Sequence, residues 1–349
     1  MSEVTNGRVV FKSIPEAYPI PGENIVYDTS EKIDLDNVPL NGGILLKTLE
    51  VSVDPYMRGR MRDASIESYA PAFHLNESID GFGVAVVVRS ESSEAKKGDY
   101  VYGMIQYQNY NIVKDLKSTN LSKFVNSENL PLSTYVGVLG MPGKTAFMAW
   151  REYSKAKKGE TAFVSTGAGP VGSLVIQLAK MDGLKVIGSA GSADKVQFMK
   201  ECGADVAFNY KKENVADVLK REGPIDMRAL PFNYSGVPRQ LTMLKVTGTT
   251  SAGRPSMPRL RLPGLMDDLS NANLFQVVSK SLSIHGFITG RLEAKHNEDF
   301  YKTIPPLVAN GTIKHQEQVF HGLEKVGDVI LAVQKGENTA KAVVHVADA

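Results

Sequence analysis

An apolar strand, a glycine-rich turn and a helix follow one another between Thr161 and Met181, and this stretch limits the possible folds more than any other. Thr161-Ala162-Phe163-Val164-Ser165 reads as a buried strand, and Val171–Met181 places Val171, Leu174, Val175 and Leu178 on one helical face. Between them, Gly167-x-Gly169-x-x-Gly172 fits the G-x-G-x-x-G pattern. Its first glycine permits a tight turn, its second lets a pyrophosphate approach the backbone, and its third lets helix and strand pack closely. N–H groups at the start of the helix would hold the phosphates. A chain with 31 glycines produces such triplets by chance, so the flanking strand and helix are what favour a dinucleotide site over a plain turn. A second strand, Lys185-Val186-Ile187-Gly188-Ser189, continues the alternation, which predicts βαβ units and a parallel sheet.

The rest of the chain is organised differently. Before about residue 130 it reads as short strands and turns, with Gly43–Val51 and Gly83–Val88 as the clearest strands. From Thr134 onward the βαβ texture takes over. Near the C-terminus Val326–Val333 reads as a helix and Ala342–Val346 as a closing strand that returns to the first domain. A length of 349 residues fits two domains.

Composition excludes several functions. With 42% apolar and 22% charged residues the chain can bury large cores, and a formal charge of +2 spread along its length gives no nucleic-acid footprint. Residues 1–7 are polar and lack the features of a secretory signal, and no apolar run suffices to span a bilayer, so a cytoplasmic protein is expected. Cys202 is the only cysteine, which excludes an intrachain disulfide and a thiolate-rich zinc site; it reads as a small buried apolar side chain. His74 and His285, and His315 and His321, lack metal-ligand spacing, so no metal is expected.

The end of the second strand bears on the cofactor. An NAD site carries an acid there for the ribose diol, whereas this strand runs into Gly188-Ser189-Ala190-Gly191-Ser192, with Lys195 one helical turn later. A lysine at that place can face the 2′-phosphate of NADPH as a point charge. NADPH is therefore expected over NADH; the alternative is that Lys195 is a solvated helix residue.

Val51-Ser52-Val53-Asp54-Pro55-Tyr56-Met57-Arg58-Gly59-Arg60-Met61 resembles a hallmark of the zinc-independent medium-chain dehydrogenases/reductases, in the leukotriene B4 dehydrogenase, prostaglandin reductase and plant double-bond reductase group. Gly140–Ala146, Val186–Ser192, Phe208-Asn209-Tyr210 and Asn273–Lys280 extend the resemblance over most of the chain. It implies an α/β fold: a GroES-like, partly open β-barrel domain from residues 1–130 and 311–349, and an inserted doubly wound Rossmann domain over 131–310. It also implies a cofactor shell of Pro55, Tyr56, Thr145, Thr166, Gly167, Ala168, Gly169, Pro170, Val171, Gly172, Gly191, Ser192, Lys195, Tyr210, Phe287, Ile288, Thr289 and Asn338. Tyr210 would flank the 2′-phosphate beside Lys195, or else serve as a structural aromatic at a strand end. Relatives of this kind are often homodimers.

One segment departs from the group. After Gly223-Pro224-Ile225-Asp226-Met227 relatives continue with an aromatic, an acid, an asparagine, a valine and two glycines, whereas this chain reads Arg228-Ala229-Leu230-Pro231-Phe232-Asn233-Tyr234-Ser235-Gly236. Thr249–Arg254 stands where relatives have a strand and a tyrosine-bearing loop, and that tyrosine has no match. Either the loop has diverged or the gene boundary is mis-spliced.

The implied reaction is NADPH-dependent reduction of the carbon–carbon double bond of an α,β-unsaturated aldehyde or ketone, with hydride delivered to the β-carbon. The protein must then stabilise the enolate oxygen that develops. Zinc-dependent relatives carry a cysteine near the position of Asp54 and a Gly-His-Glu motif, both missing here. Tyr56 is the candidate donor to that oxygen, since a neutral phenol donates at pH 7; alternatively it buttresses the nicotinamide. Arg58 and Arg60 suit either carboxylate substrates or packing salt bridges, and Tyr69, Phe73 and Tyr107 either a substrate pocket or the core. Carbonyl or secondary-alcohol oxidoreduction, and NADPH binding with little turnover, are the competing functions.

Overall fold

A computed structural model describes residues 3–231, 241–246 and 282–349. The Asn273–Lys280 match and the Thr249–Arg254 segment lie outside these residues. Contacts divide the chain into two compact units, one formed by the chain up to Met141 and from Gln316 onward, the other by the chain in between.

The first unit is mostly β. Strands β1 (Val4–Thr5), β2 (Arg8–Phe11), β3 (Ile25–Asp28) and β4 (Lys32–Ile33) form two small antiparallel pairs, β1 with β4 and β2 with β3. They are followed by β5 (Ile44–Ser52), the short helix α1 (Met57–Arg60), β6 (Asp80–Ser90), β7 (Tyr100–Gln106), β8 (Tyr110–Val113) and β9 (Leu121–Phe124). Apolar residues on these strands, among them Ile44, Leu46, Val51, Ala85, Val87, Val101 and Ile105, make one continuous core. The C-terminal helix and closing strand join this unit.

The second unit begins with α2 (Met141–Ala149) and alternates β10 (Thr161–Ser165), α3 (Pro170–Met181), β11 (Lys185–Ala190), α4 (Ala193–Glu201), β12 (Val206–Asn209), α5 (Val215–Glu222) and β13 (Met227–Pro231). Gly169 caps α3 in an extended conformation and Pro170 sits at its first turn, where a missing N–H costs nothing. Leu174, Val175 and Leu178 are buried as the helical face predicts, while Val171 is half-buried. Phe163, Ile187, Phe208, Val218, Leu219 and Ile225 pack into the core beneath the sheet.

The sheet of this unit runs β12-β11-β10-β13-β14-β15, with β14 at Leu241–Val246 and β15 at Leu282–Gly286. Its first four strands are parallel, as expected. The last two add an antiparallel edge to this parallel sheet: β14 pairs antiparallel with β13, and β15 antiparallel with β14. The reason is chain length, because only residues 232–240 separate β13 from β14, fewer than the dozen or so a parallel crossover needs. Helix α6 (Glu293–Ala309) completes the unit.

The chain then returns to the first unit through β16 (Glu317–His321), α7 (Val326–Lys335) and β17 (Lys341–His345). Strand β17 lies between β16 and β5, which gives an open sheet of order β16-β17-β5-β6-β7-β9, with β8 also pairing β5. The start and the end of the chain thus share one core, in which Val329, Ile330, Val333 and Val344 meet Ile44 and Val51.

Candidate active site

In the first unit the site is built on the turn that leaves β5. Asp54 is buried there and accepts two hydrogen bonds, one from the Ser52 hydroxyl and one from the Lys341 ammonium, whose Nζ stands 3.1 Å from Oδ1. Lys341 also donates to the carbonyls of Val53 (2.9 Å) and Ala342 (3.0 Å), so all three of its protons are used. Gln334 donates to the Pro55 carbonyl at 3.2 Å. A turn tied by these bonds to the C-terminal helix and strand holds the next residue, Tyr56, in place.

The hydroxyl of Tyr56 is buried and has no hydrogen-bond partner among the described residues. Burial raises its pKa far above the ordinary tyrosine value, and the charge of Asp54 raises it further, so the phenol stays protonated. Its ring meets Phe82 edge-on with centroids 6.4 Å apart, and Phe82 stacks on Tyr102 at 5.8 Å. A buried donor without an acceptor costs about 1–3 kcal/mol, so this position suits a ligand oxygen that would satisfy it.

Most of the other candidates of this unit are engaged within it. Arg60 forms a two-pronged pair with Asp80 (2.7 and 2.9 Å), donates to the Pro71 carbonyl (2.9 Å) and lies 4.3 Å over the Phe73 ring. Arg58 donates to the carbonyls of Ala17 (2.8 Å) and Pro15 (3.2 Å). Tyr107 and Phe73 belong to the core, and the Tyr107 hydroxyl donates to the Ser52 carbonyl. Tyr69 is partly exposed, with a pKa pushed up to about 12 by burial. Asn338 bonds the carbonyl of Ala340 at 2.7 Å in the turn before β17.

The second unit holds the other candidates. Thr166 adopts a left-handed conformation (φ 53°), and the turn is closed by Gly167 N–H to Ser189 O (2.9 Å) and Gly169 N–H to Thr166 O (3.0 Å). A Cβ on Gly172 would fall 2.6 Å from Thr166 O and 2.8 Å from the Gly167 Cα, so only glycine lets α3 approach the turn. At Gly169 a Cβ would meet nothing nearer than 3.4 Å, so the turn is open on that side, next to the N–H groups of Val171 and Gly172 in the first turn of α3; Pro170 has no N–H and that of Gly169 is bonded to Thr166 O. Ala168, Pro170 and Val171 complete the turn. These features fit a pyrophosphate at the N-terminus of α3.

At the end of β11, Ser192 caps α4 by accepting the Lys195 N–H at 3.4 Å. Gly191 lies beneath Tyr210, with the site of a Cβ 2.8 Å from the Tyr210 hydroxyl. Thr145 on α2 shares a 2.7 Å hydrogen bond with Thr289, and Phe287, which like Ile288 precedes Thr289, lies 5.6 Å from the Tyr153 ring. Cys202 is buried, with its thiol pKa pushed up to about 12 by that burial. Trp150 is core, with its indole N–H 2.7 Å from Asp182. Among the described residues no group of three or more His, Cys, Asp or Glu side chains is placed to hold a metal ion, and no helix is long and apolar enough to cross a membrane.

Comparison with known proteins agrees with this architecture. Residues 28–121 match a family model described as the N-terminal domain of oxidoreductase, and residues 170–309 one described as zinc-binding dehydrogenase. An NADP-dependent oxidoreductase of Cochliobolus heterostrophus is 34% identical, over 98% of this chain and 98% of that one. The chain belongs to the medium-chain dehydrogenase/reductase family. A 2-alkenal reductase (NADP(+)-dependent) of Nicotiana tabacum is also 34% identical, over 99% of this chain and 98% of the relative. Among solved structures, CurA from Vibrio vulnificus in complex with NADPH superposes with a TM-score of 0.78 at 26% identity, covering 98% of this chain and 100% of CurA. This medium-chain reductase fold is the one the hallmark around Tyr56 implied.

Sequence reading missed Lys341, the partner of Asp54. The available signal was a lysine opening the apolar run Lys341-Ala342-Val343-Val344, since a charge inside a buried strand requires a counter-charge.

Proposed function

We propose that this protein, an NADP-dependent oxidoreductase, uses NADPH to reduce the carbon–carbon double bond of α,β-unsaturated aldehydes and ketones. The observation that carries this reading is the buried, protonated and unpartnered Tyr56 hydroxyl. A donor with no acceptor among the described residues suits a substrate carbonyl, whose oxygen gains charge as the enolate forms. The aromatic rings of Phe82 and Tyr102 suit a flat conjugated substrate. The similarity to a 2-alkenal reductase of Nicotiana tabacum supports the same substrate class.

NADPH, when bound, supplies the hydride for the β-carbon. Tyr56 donates its hydrogen bond to the carbonyl oxygen and holds it as negative charge accumulates there. Lys341 offsets part of the Asp54 charge near the phenol, which lessens its repulsion of the developing enolate. The N–H groups of Val171 and Gly172 at the start of α3 would hold the pyrophosphate, and Lys195 and Tyr210 would hold the 2′-phosphate.

Incubating the protein with NADPH and a panel of enals and enones, then identifying the products, tests the proposal. A saturated carbonyl product is expected. An allylic alcohol would transfer the assignment to carbonyl reduction, and NADPH binding without oxidation would make this a binding protein.

A further inference from the structure

The turn after β12 brings a residue to the cofactor region that neither the glycine motif nor Lys195 accounts for. Tyr210 and Lys211 leave the strand together, and both fold back over Gly191 at the end of β11. A Cβ built on Gly191 would lie 2.8 Å from the Tyr210 hydroxyl and 3.3 Å from Lys211 Cε. The lysine stem therefore runs beside the phenol, over a residue whose lack of a side chain leaves room for both.

Lys211 is exposed, and its side chain has neither an ion pair nor a hydrogen bond among the described residues. The backbone around it is fixed, with its own N–H bonded to Asn209 Oδ1 at 2.9 Å and the Tyr210 N–H to Ala190 O at 3.1 Å. Its neighbours in the fold are different. Lys180 and Lys185 on the same unit are each spent on a carboxylate, Asp205 and Glu222. An ammonium held beside a phenol, with no counter-charge among the described residues, offers a contact to a bound anion.

The 2′-phosphate of NADPH carries between one and two negative charges at neutral pH, more than a single lysine balances. We propose that Lys211 is a second cationic contact of that phosphate, acting with the Tyr210 hydroxyl over Gly191, and that it helps to set the preference for NADPH over NADH. The inference rests on the assignment of Gly191 and Tyr210 to the phosphate end of the cofactor and is independent of the substrate. Lys212, next in sequence, contributes none of the three atoms nearest to that Cβ position and serves as the control.

The test is calorimetric titration of 2′,5′-ADP and of 5′-AMP, which lacks the 2′-phosphate, into the wild-type protein and into Lys211→Gln, Lys211→Arg and Lys212→Gln. Lys211→Gln should weaken 2′,5′-ADP roughly tenfold, the low end for a charge-assisted hydrogen bond at an exposed site, and change 5′-AMP less than twofold. Lys211→Arg should retain most of the affinity, and Lys212→Gln should behave as wild type. Equal losses for the two nucleotides, no loss in Lys211→Gln, or the same loss in Lys212→Gln would overturn the role of Lys211. A wild-type protein with no preference for 2′,5′-ADP would instead overturn the placement of the phosphate end, and Lys211 with it.

Discussion

Lys341 Nζ lies 3.1 Å from Asp54 Oδ1, with 3% of the lysine side chain and 5% of the aspartate side chain exposed to solvent. Removing one partner leaves the other as a buried, uncompensated charge, a change that costs about 3–5 kcal/mol in measured cases. Lys341→Met is therefore expected to lower the unfolding free energy from urea titration by an amount of that order. The double variant Asp54→Asn/Lys341→Met removes both charges and should recover most of the loss. A single variant as stable as wild type would show that Asp54 takes up a proton at no cost, and the pair would then have no part in fixing the turn before Tyr56.

Gly172 and Gly169 belong to one motif but face different surroundings. A methyl group on Gly172 meets backbone atoms at 2.6 and 2.8 Å, so helix and turn must separate; Gly172→Ala should cost about 1–3 kcal/mol of stability as well as NADPH affinity. On Gly169 the nearest atom is 3.4 Å away, so Gly169→Ala should unfold at the wild-type temperature and still bind NADPH more weakly, because the methyl occupies space meant for the pyrophosphate. Thermal unfolding alongside NADPH titration separates the two effects. Full NADPH affinity in Gly169→Ala would contradict the placement of the pyrophosphate at this turn.

These two cases show how far the sequence could be read. The glycine turn was legible because its chemistry is local: strand, turn and helix lie within about twenty residues, and each glycine has a steric reason within that span. The Asp54–Lys341 pair joins residues 287 positions apart, so nothing near Asp54 announces it; only the mismatch of a lysine in a buried strand hints at it. The antiparallel β14 was hidden for a related reason. Strand direction depends on the length of the connection, and Leu241–Val246 looks equally apt for either direction. Tyr56 was singled out because the hallmark around it is distinctive, but the lack of a partner for its hydroxyl among the described residues is a property of packing that no local pattern carries.

Glu50 gives a pH dependence whose sign follows from its surroundings. Its carboxyl is buried on β5, with Oε1 2.8 Å from His345 Nδ1 and Oε2 without a partner among the described residues. Burial raises its pKa above 4.5, the charges of Glu317 and Asp348 add to this, and His345 opposes it. A raised native pKa means that the folded protein binds more protons than the unfolded chain above pH 4.5, so this group's contribution to stability is complete in acid and is lost as pH rises through the native value. Glu50→Gln removes the charge while keeping an acceptor for His345. It should raise the melting temperature near pH 8 and leave it unchanged near pH 4, in parallel thermal scans. A variant less stable than wild type at pH 8 would mean that the bond to His345 outweighs the cost of burying the charge.

Tyr56 separates catalysis from support of the cofactor. Because its hydroxyl has no partner among the described residues, Tyr56→Phe removes none of their hydrogen bonds, so stability should hold or rise slightly. If the phenol donates to the enolate oxygen, kcat/KM for an enone falls roughly a hundredfold, the lower range for loss of one oxyanion donor, while the dissociation constant of NADPH stays the same. The raised pKa adds a second signature, since a phenol that stays protonated should cause no loss of wild-type activity as pH passes through 10, the ordinary tyrosine value. If Tyr56 instead only buttresses the nicotinamide, phenylalanine preserves the ring and kcat/KM survives, whereas Tyr56→Leu weakens NADPH. The two outcomes differ in which variant fails and in which constant moves, so steady-state kinetics with NADPH titration on both variants decides between a catalytic and a supporting tyrosine.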